Sequence, residues 1–152
     1  MEPCMELDDT AEDGFKVELW TIRVADLEKL YNPMRNDPWA CGEIDEFDVS
    51  SCMGDDSSAG RLPAGLTAED TLSVEYNIAR IAWLASNGWD DKDEPITVEM
   101  FSDSSNRWYP IVDGNHRFAA AIVLKMETIR ITPDGDIDYM RKALKPSLIE
   151  YV

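Results

Sequence analysis

Asp113-Gly114-Asn115-His116-Arg117 gathers the side chains of this chain best suited to chemistry, including the only histidine among 152 residues. A strand candidate over about 108–112 precedes them, and the apolar run from Phe118 to Leu124 follows directly. A glycine at such a junction lets the backbone turn tightly and lets a ligand approach it closely. A helix starting near Asn115 would offer unpaired N–H groups and the positive end of its dipole, which suits an anion. His116 and Arg117 in its first turn suit a phosphate in particular. Asp113 is available to orient His116 or to hold a cation. The same residues admit a structural reading, with Asp113 capping the helix and Arg117 paired to a carboxylate.

The elements that must position this turn follow from local patterning. Residues 16–22 read as a first strand and Val24–Leu30 as a short helix after it. From about 31 to 66 the sequence is irregular, with Asn32-Pro33, Asp37-Pro38 and a Gly/Ser/Asp-rich stretch from Gly54 to Gly60. A loop of that length inside a domain is either functional or disordered. Thr67-Ala-Glu-Asp70 resembles a capping box, after which Val74, Ile78, Ile81 and Ala85 mark one helical face and Asn87-Gly88 a stop. Ile96, Val98 and Met100 alternate with Thr97 and Glu99, as in a half-buried strand. A turn at Asp103–Asn106 would pair that strand with the one leading to Asp113. The helix after Gly114 is apolar nearly all round and is expected to be buried. Thr128–Thr132 reads as a strand, and Asp136–Lys145 as a last helix stopped by Pro146. The order predicts one α+β domain over 15–146 with a small mixed sheet flanked by helices. Residues 1–14 read as a disordered acidic tail and 147–152 as a C-terminal tail.

Charge bounds the partners. The formal net charge is −17, with eighteen acidic against five basic residues in 1–70 and thirteen against nine in 71–152. Nucleic-acid binding draws much of its affinity from Lys and Arg on phosphates, so general duplex DNA binding is disfavoured. An acidic surface instead favours solubility or a basic protein partner. No run approaches the roughly 18 apolar residues of a membrane span. The acidic N-terminus lacks a signal-peptide layout, so a cytoplasmic location is expected. Three cysteines without a CxxC pair fit a disulfide framework poorly, a Cys41–Cys52 bridge being the less favoured alternative.

Several segments in this order resemble the ParB/sulfiredoxin superfamily over about residues 17–132. They are Val24-Ala-Asp-Leu27 with Tyr31-Asn-Pro33, Ala85-Ser-Asn-Gly88 before Glu94-Pro-Ile96, Ile111-Val-Asp-Gly-Asn-His-Arg117 with the alanine-rich run after it, and Glu127-Thr-Ile129. The resemblance implies a compact ParB/sulfiredoxin-like domain whose glycine–x–x–arginine turn binds nucleotide phosphates. Sulfiredoxins carry a nucleophilic cysteine directly after the glycine. Asn115 stands there, and an amide cannot act as a thiolate. Partition-type ParB proteins use a glycine–glutamate–arginine–arginine turn with a helix-turn-helix domain downstream, and neither feature is matched here. The turn is most similar to that of ParB-like free serine kinases and small ParB-like nuclease proteins.

Carried over by position, the resemblance implies that His116 contacts the transferring phosphoryl and that Asp113 supports His116 or a metal. Arg117 would hold phosphate oxygens with the N–H groups of Gly114 and Asn115. The cofactor implied is Mg²⁺ with a nucleoside phosphate such as ATP, ADP or CTP. Asp90 and Asp91 are the candidate general bases, with Asp26 and Glu28 weaker, and Trp89 is a candidate to stack on a base. The activity implied is phosphoryl transfer or phosphoester hydrolysis, of the nuclease, NTPase or kinase kind. Arg35 beside Asn32-Pro33 is a lesser candidate phosphate contact. Asp134-x-Asp136-x-Asp138 begins like a calcium loop, but Tyr139 replaces its glycine and Lys145 its final glutamate. The competing expectation is a catalytically inactive acidic interaction protein, of the phage or plasmid inhibitor or DNA-mimic kind, that binds a basic partner.

Overall fold

The computed structural model describes residues 17–53, 73–103 and 109–151. The expected acidic tail, the later part of the long loop, the Thr67–Asp70 helix start and most of the Asp103–Asn106 turn lie outside them. Five strands and the helices between them run in the order β1 (Glu18–Arg23), α1 (Val24–Glu28), α2 (Pro33–Asn36), α3 (Glu46–Cys52), α4 (Val74–Asn87), β2 (Ile96–Met100), β3 (Ile111–Asp113), α5 (Asn115–Val123), β4 (Thr128–Gly135), α6 (Ile137–Leu144) and β5 (Leu148–Tyr151). The sheet order is β3-β2-β4-β1-β5. β2 and β4 are parallel, and the other neighbours are antiparallel. This is the α+β fold with a mixed sheet that the patterning predicts.

The alternation in β2 does what a period of two requires: Ile96, Val98 and Met100 are buried while Thr97 and Glu99 are half-exposed. Across the sheet Ile131 pairs with both Trp20 and Ile96, and Ile22 with Ile129. All five of these are essentially inaccessible to solvent. A parallel pair needs a crossover, and β3 with α5 supplies it between β2 and β4. Ala119, Ala120 and Ala121 on α5 are fully buried. With no side chain beyond Cβ, they let α5 pack closely on α4. That contact brings residues from two distant parts of the chain to one cleft.

Three stretches depart from expectation. The irregular region from 31 contains two short helices, α2 and α3. Pro33 stands at the first position of α2, where its missing N–H costs nothing, and Asn32 Oδ1 caps it by accepting from Met34 N at 2.9 Å. Asp45 caps α3 in the same way through Phe47 N. Each is too short to leave a periodic signal. Next, β4 extends three residues past Thr132. β1 pairs only with Thr128–Ile131, so Pro133 sits where one side of β4 has no ladder partner. Finally, residues 147–152 do not form a simple tail: Leu148–Tyr151 pairs with β1 as the edge strand, and Ser147 N donates to Thr21 O at 2.9 Å. Its outer residues Leu148 and Tyr151 are exposed, so no burial pattern announces the strand. α4 carries its cap at Ser73, whose Oγ accepts from Tyr76 N. Among the described residues no helix is long and apolar enough to cross a membrane.

Candidate functional site

The turn from β3 to α5 depends on Gly114. Its φ of +106° is strained for any L side chain, and a Cβ there would meet Ile96 Cγ1 at 2.9 Å. The backbone therefore folds flat onto β2, and α5 starts with no side-chain cap on its first turn. The β2–β3 register shifts between Thr97 and Val98, which sets Asp113 opposite Thr97. Such irregularities re-aim residues at the rim of a sheet.

A cavity of about 620 Å³ opens beside this turn. Asp113 to Arg117 form one wall, α4 contributes Tyr76, Asn77, Arg80 and Leu84, and the Pro38–Ala40 loop closes a third side. A second groove of about 450 Å³ shares Arg80, Leu84, Asp113 and Arg117 with it. Its outer lining is Asp93, Glu94, Pro95 and Thr97. Arg80 and Arg117 thus line both spaces beside the uncapped start of α5, with the Arg80 guanidinium over the Trp83 ring, 5.3 Å from its centroid.

His116 is held from two directions. Its ring stacks on Trp39 with centroids 4.4 Å apart and planes 15° from parallel. Its Nε2 lies 2.7 Å from Asn77 Oδ1. Burial in this sandwich, with the Arg80 charge beside it, pushes the imidazole down to about 4, so it is neutral at pH 7. Arg117 is fixed as well: one of its guanidinium nitrogens donates to Glu94 O and the other lies 3.2 Å from Asp113 Oδ2. The Arg117 side chain is only 15% exposed, whereas that of Asp113 is 74% exposed. Asn115 is anchored behind the turn, where its Oδ1 accepts from Tyr31 Oη at 2.6 Å. Burial, and then the neighbouring Tyr109, pushes the Tyr31 phenol up, so it remains a hydroxyl donor.

The fold brings Asp113, Gly114, Asn115, His116 and Arg117 together in one wall, and it does not bring the candidate bases to them. Asp90 Oδ1 caps a turn by accepting from Lys92 N and Asp93 N, and those backbone bonds hold its carboxyl below the usual range. Asp91 is bound to the backbone N–H and guanidinium of Arg130, both at 3.3 Å. Neither lines the cavity or the groove; Asp93 and Glu94, two and three residues on, line the groove. The weaker candidates are elsewhere too, Asp26 in a 3.7 Å pair with Lys29 and Glu28 beside a separate pocket on α1. Trp89 packs on the core rather than in the cavity. Arg35 lines a different groove with Glu43, Asp45 and Glu46.

Asn77, Arg80 and Trp39 are the site residues that sequence reasoning missed. Asn77 and Arg80, with Leu84, fall at helical spacing on one face of α4, beside the apolar stripe of Ile78, Ile81 and Ala85. A polar pair at i and i+3 flanking such a stripe was the available signal. Nothing in the sequence marked Trp39 as a neighbour of His116.

Among the described residues no group of three or more His, Cys, Asp or Glu side chains could hold a metal ion. A cation at Asp113 would draw its other oxygens from a ligand, as Mg²⁺ does when it arrives with phosphates. Cys41 and Cys52 are free thiols. Burial and Asp37 push the Cys41 thiol up, which disfavours the thiolate. No protein-family model, curated protein or solved structure matches this chain.

Proposed function

We propose that the chain binds a nucleoside phosphate with Mg²⁺ at Gly114–Arg117 and carries out phosphoryl transfer or phosphoester hydrolysis there, in the manner of the ParB/sulfiredoxin superfamily. The observation that carries this reading is the pairing of Arg80 with Arg117 in the wall shared by the two spaces, beside the uncapped start of α5. In a protein of net charge −17, two arginines in the lining of one cleft favour an anion there. Phosphoryl transfer needs positioning and charge stabilisation more than covalent chemistry, which the two arginines and the start of α5 would provide. The larger cavity, walled by Trp39, Tyr76 and Leu84, suits a base or ribose, and the groove past the arginines suits a phosphoryl acceptor or water. Asp113 is the group for Mg²⁺.

Thermal stability measured with ATP, CTP, GTP or ADP and Mg²⁺ tests this reading. A nucleotide at 100 times its dissociation constant adds about 2.7 kcal/mol. The shift is expected to vanish in Arg80→Ala and in Arg117→Ala. No shift with any nucleotide overturns the reading.

The alternative, an acidic interaction protein, draws support from one observation. Phe47 on α3 is 73% exposed between Glu46 and Asp48, beside the groove in which Glu43, Asp45 and Glu46 outnumber Arg35. An apolar anchor ringed by carboxylates suits a basic partner. That reading predicts salt-sensitive association with a basic protein, lost on neutralising the acids between Glu43 and Asp56 and indifferent to His116→Ala.

A further inference from the structure

Asp90 and Asp91, the two carboxylates expected as general bases, are engaged in other contacts. We propose that His116 accepts the proton through Nδ1, and that Asn77 is the positioning residue that makes Nδ1 the accepting nitrogen by fixing the ring as its Nε2–H tautomer.

Asn77 is completely buried in α4. Its Nδ2 donates to Ser73 O at 2.8 Å, and a carbonyl can only accept. The amide therefore cannot be turned round without losing that bond, so the group facing His116 is the carbonyl oxygen. That bond sets the NH₂ away from the imidazole. The 2.7 Å contact to Nε2 then requires hydrogen on Nε2, since Oδ1 has none to give. A neutral imidazole carries one N–H, so Nδ1 is left with its lone pair. The Trp39 stack holds the plane of the ring.

The tautomer stands on these contacts alone; its catalytic use rests on the nucleotide reading above. In that use an acceptor hydroxyl, or water, attacks the terminal phosphorus of a bound nucleoside triphosphate. Its proton passes to Nδ1 as the new P–O bond forms. The bond from phosphorus to the bridging oxygen breaks, and its electron pair leaves with the nucleoside diphosphate. The imidazolium formed still donates from Nε2 to Asn77 Oδ1.

His116 is the only histidine, so a ¹⁵N-histidine-labelled sample gives one pair of ring-nitrogen signals with no assignment ambiguity. At pH 7 the wild type is expected to show a protonated Nε2 and a bare Nδ1, with no second population. Asn77→Ala is expected to give a mixture of tautomers and roughly tenfold or greater loss of kcat, part of the 100-fold or more that a positioned base contributes. KM for the nucleotide should stay the same. Asn77→Asp, whose carboxylate also accepts from Nε2–H, is expected to restore the single tautomer and to move the acidic limb of the pH–rate profile upward. An Nδ1–H tautomer in the wild type, or an unchanged tautomer ratio in Asn77→Ala, overturns the proposal. If Asn77→Ala does not fold, the wild-type spectrum still decides the tautomer. A correct tautomer without any nucleotide-dependent stabilisation would instead sink the nucleotide reading and leave the Asn77–His116 pair standing.

Discussion

His116 should make this protein lose stability with acid in a way that one substitution removes. Burial, and then Arg80, hold the folded imidazole at about 4, against an ordinary value near 6.5 in the unfolded chain. The folded value is depressed, so the advantage of the neutral ring is complete above about pH 6.5. It is lost as pH falls towards 4, where both states carry the proton. Over that whole window the difference amounts to about 3 kcal/mol. Between pH 7 and pH 5 alone, the unfolded histidine becomes almost fully charged while the native one remains mostly neutral. Integrating the difference gives about 2 kcal/mol. Chemical denaturation of the wild type and of His116→Gln at pH 7, 6 and 5 measures it, because the carboxylates common to both proteins cancel in the comparison. The wild type should lose about 2 kcal/mol more than the variant from pH 7 to pH 5. Parallel stability curves, or a ring titration with its midpoint near 6.5, would refute the sandwich of Trp39, Asn77 and Arg80 as the cause.

Other consequences follow from single contacts. Gly114→Ala forces a side chain into a φ of +106° and against Ile96, and should cost about 2–4 kcal/mol in denaturant melts; a cost under about 0.5 kcal/mol would mean the turn can relax. Tyr31→Phe removes the 2.6 Å bond to Asn115 and should cost about 1 kcal/mol, measured the same way, whereas no change would leave Asn115 held by its 3.4 Å contact to Ile111 O alone. Asp113→Asn should leave metal-free nucleotide binding intact and abolish its enhancement by Mg²⁺ in calorimetry. An enhancement equal to that of the wild type would remove Asp113 as the metal group.

Local features of the fold were legible because they depend on neighbours in sequence. Ile96, Val98 and Met100 announce a strand through period two, and Gly114 announces a left-handed turn before an apolar helix. Asp136 and Pro146 bracket α6 by capping and stopping rules that act within four residues. The site was half legible for the same reason. Gly114 to Arg117 are contiguous, but Asn77, Arg80 and Trp39 reach His116 only through the packing of α4 on α5 and the path of the Pro38–Ala40 loop. Asp90 and Asp91 were candidates because the resemblance puts their loop beside the nucleotide site. Which carboxylate faces the cleft depends on the turn they close, and that turn presents Asp93 and Glu94 instead. β5 escaped notice because an edge strand with exposed Leu148 and Tyr151 has no apolar face to advertise.

The position of β1 has a consequence for how the chain is made. It pairs on one side with Thr128–Ile131 and on the other with Leu148–Tyr151, so both of its neighbours follow every other strand of this sheet in the chain. A nascent chain emerging from the ribosome at roughly 5–20 residues per second carries Trp20 and Ile22 for several seconds before either partner exists. Those side chains end up among the most completely buried of the described residues, yet they have no strand partner until then. Closure of the sheet is therefore a late, long-range event, of the sort that places folding in milliseconds to seconds rather than microseconds. Until it happens, the strand is a natural handle for a chaperone.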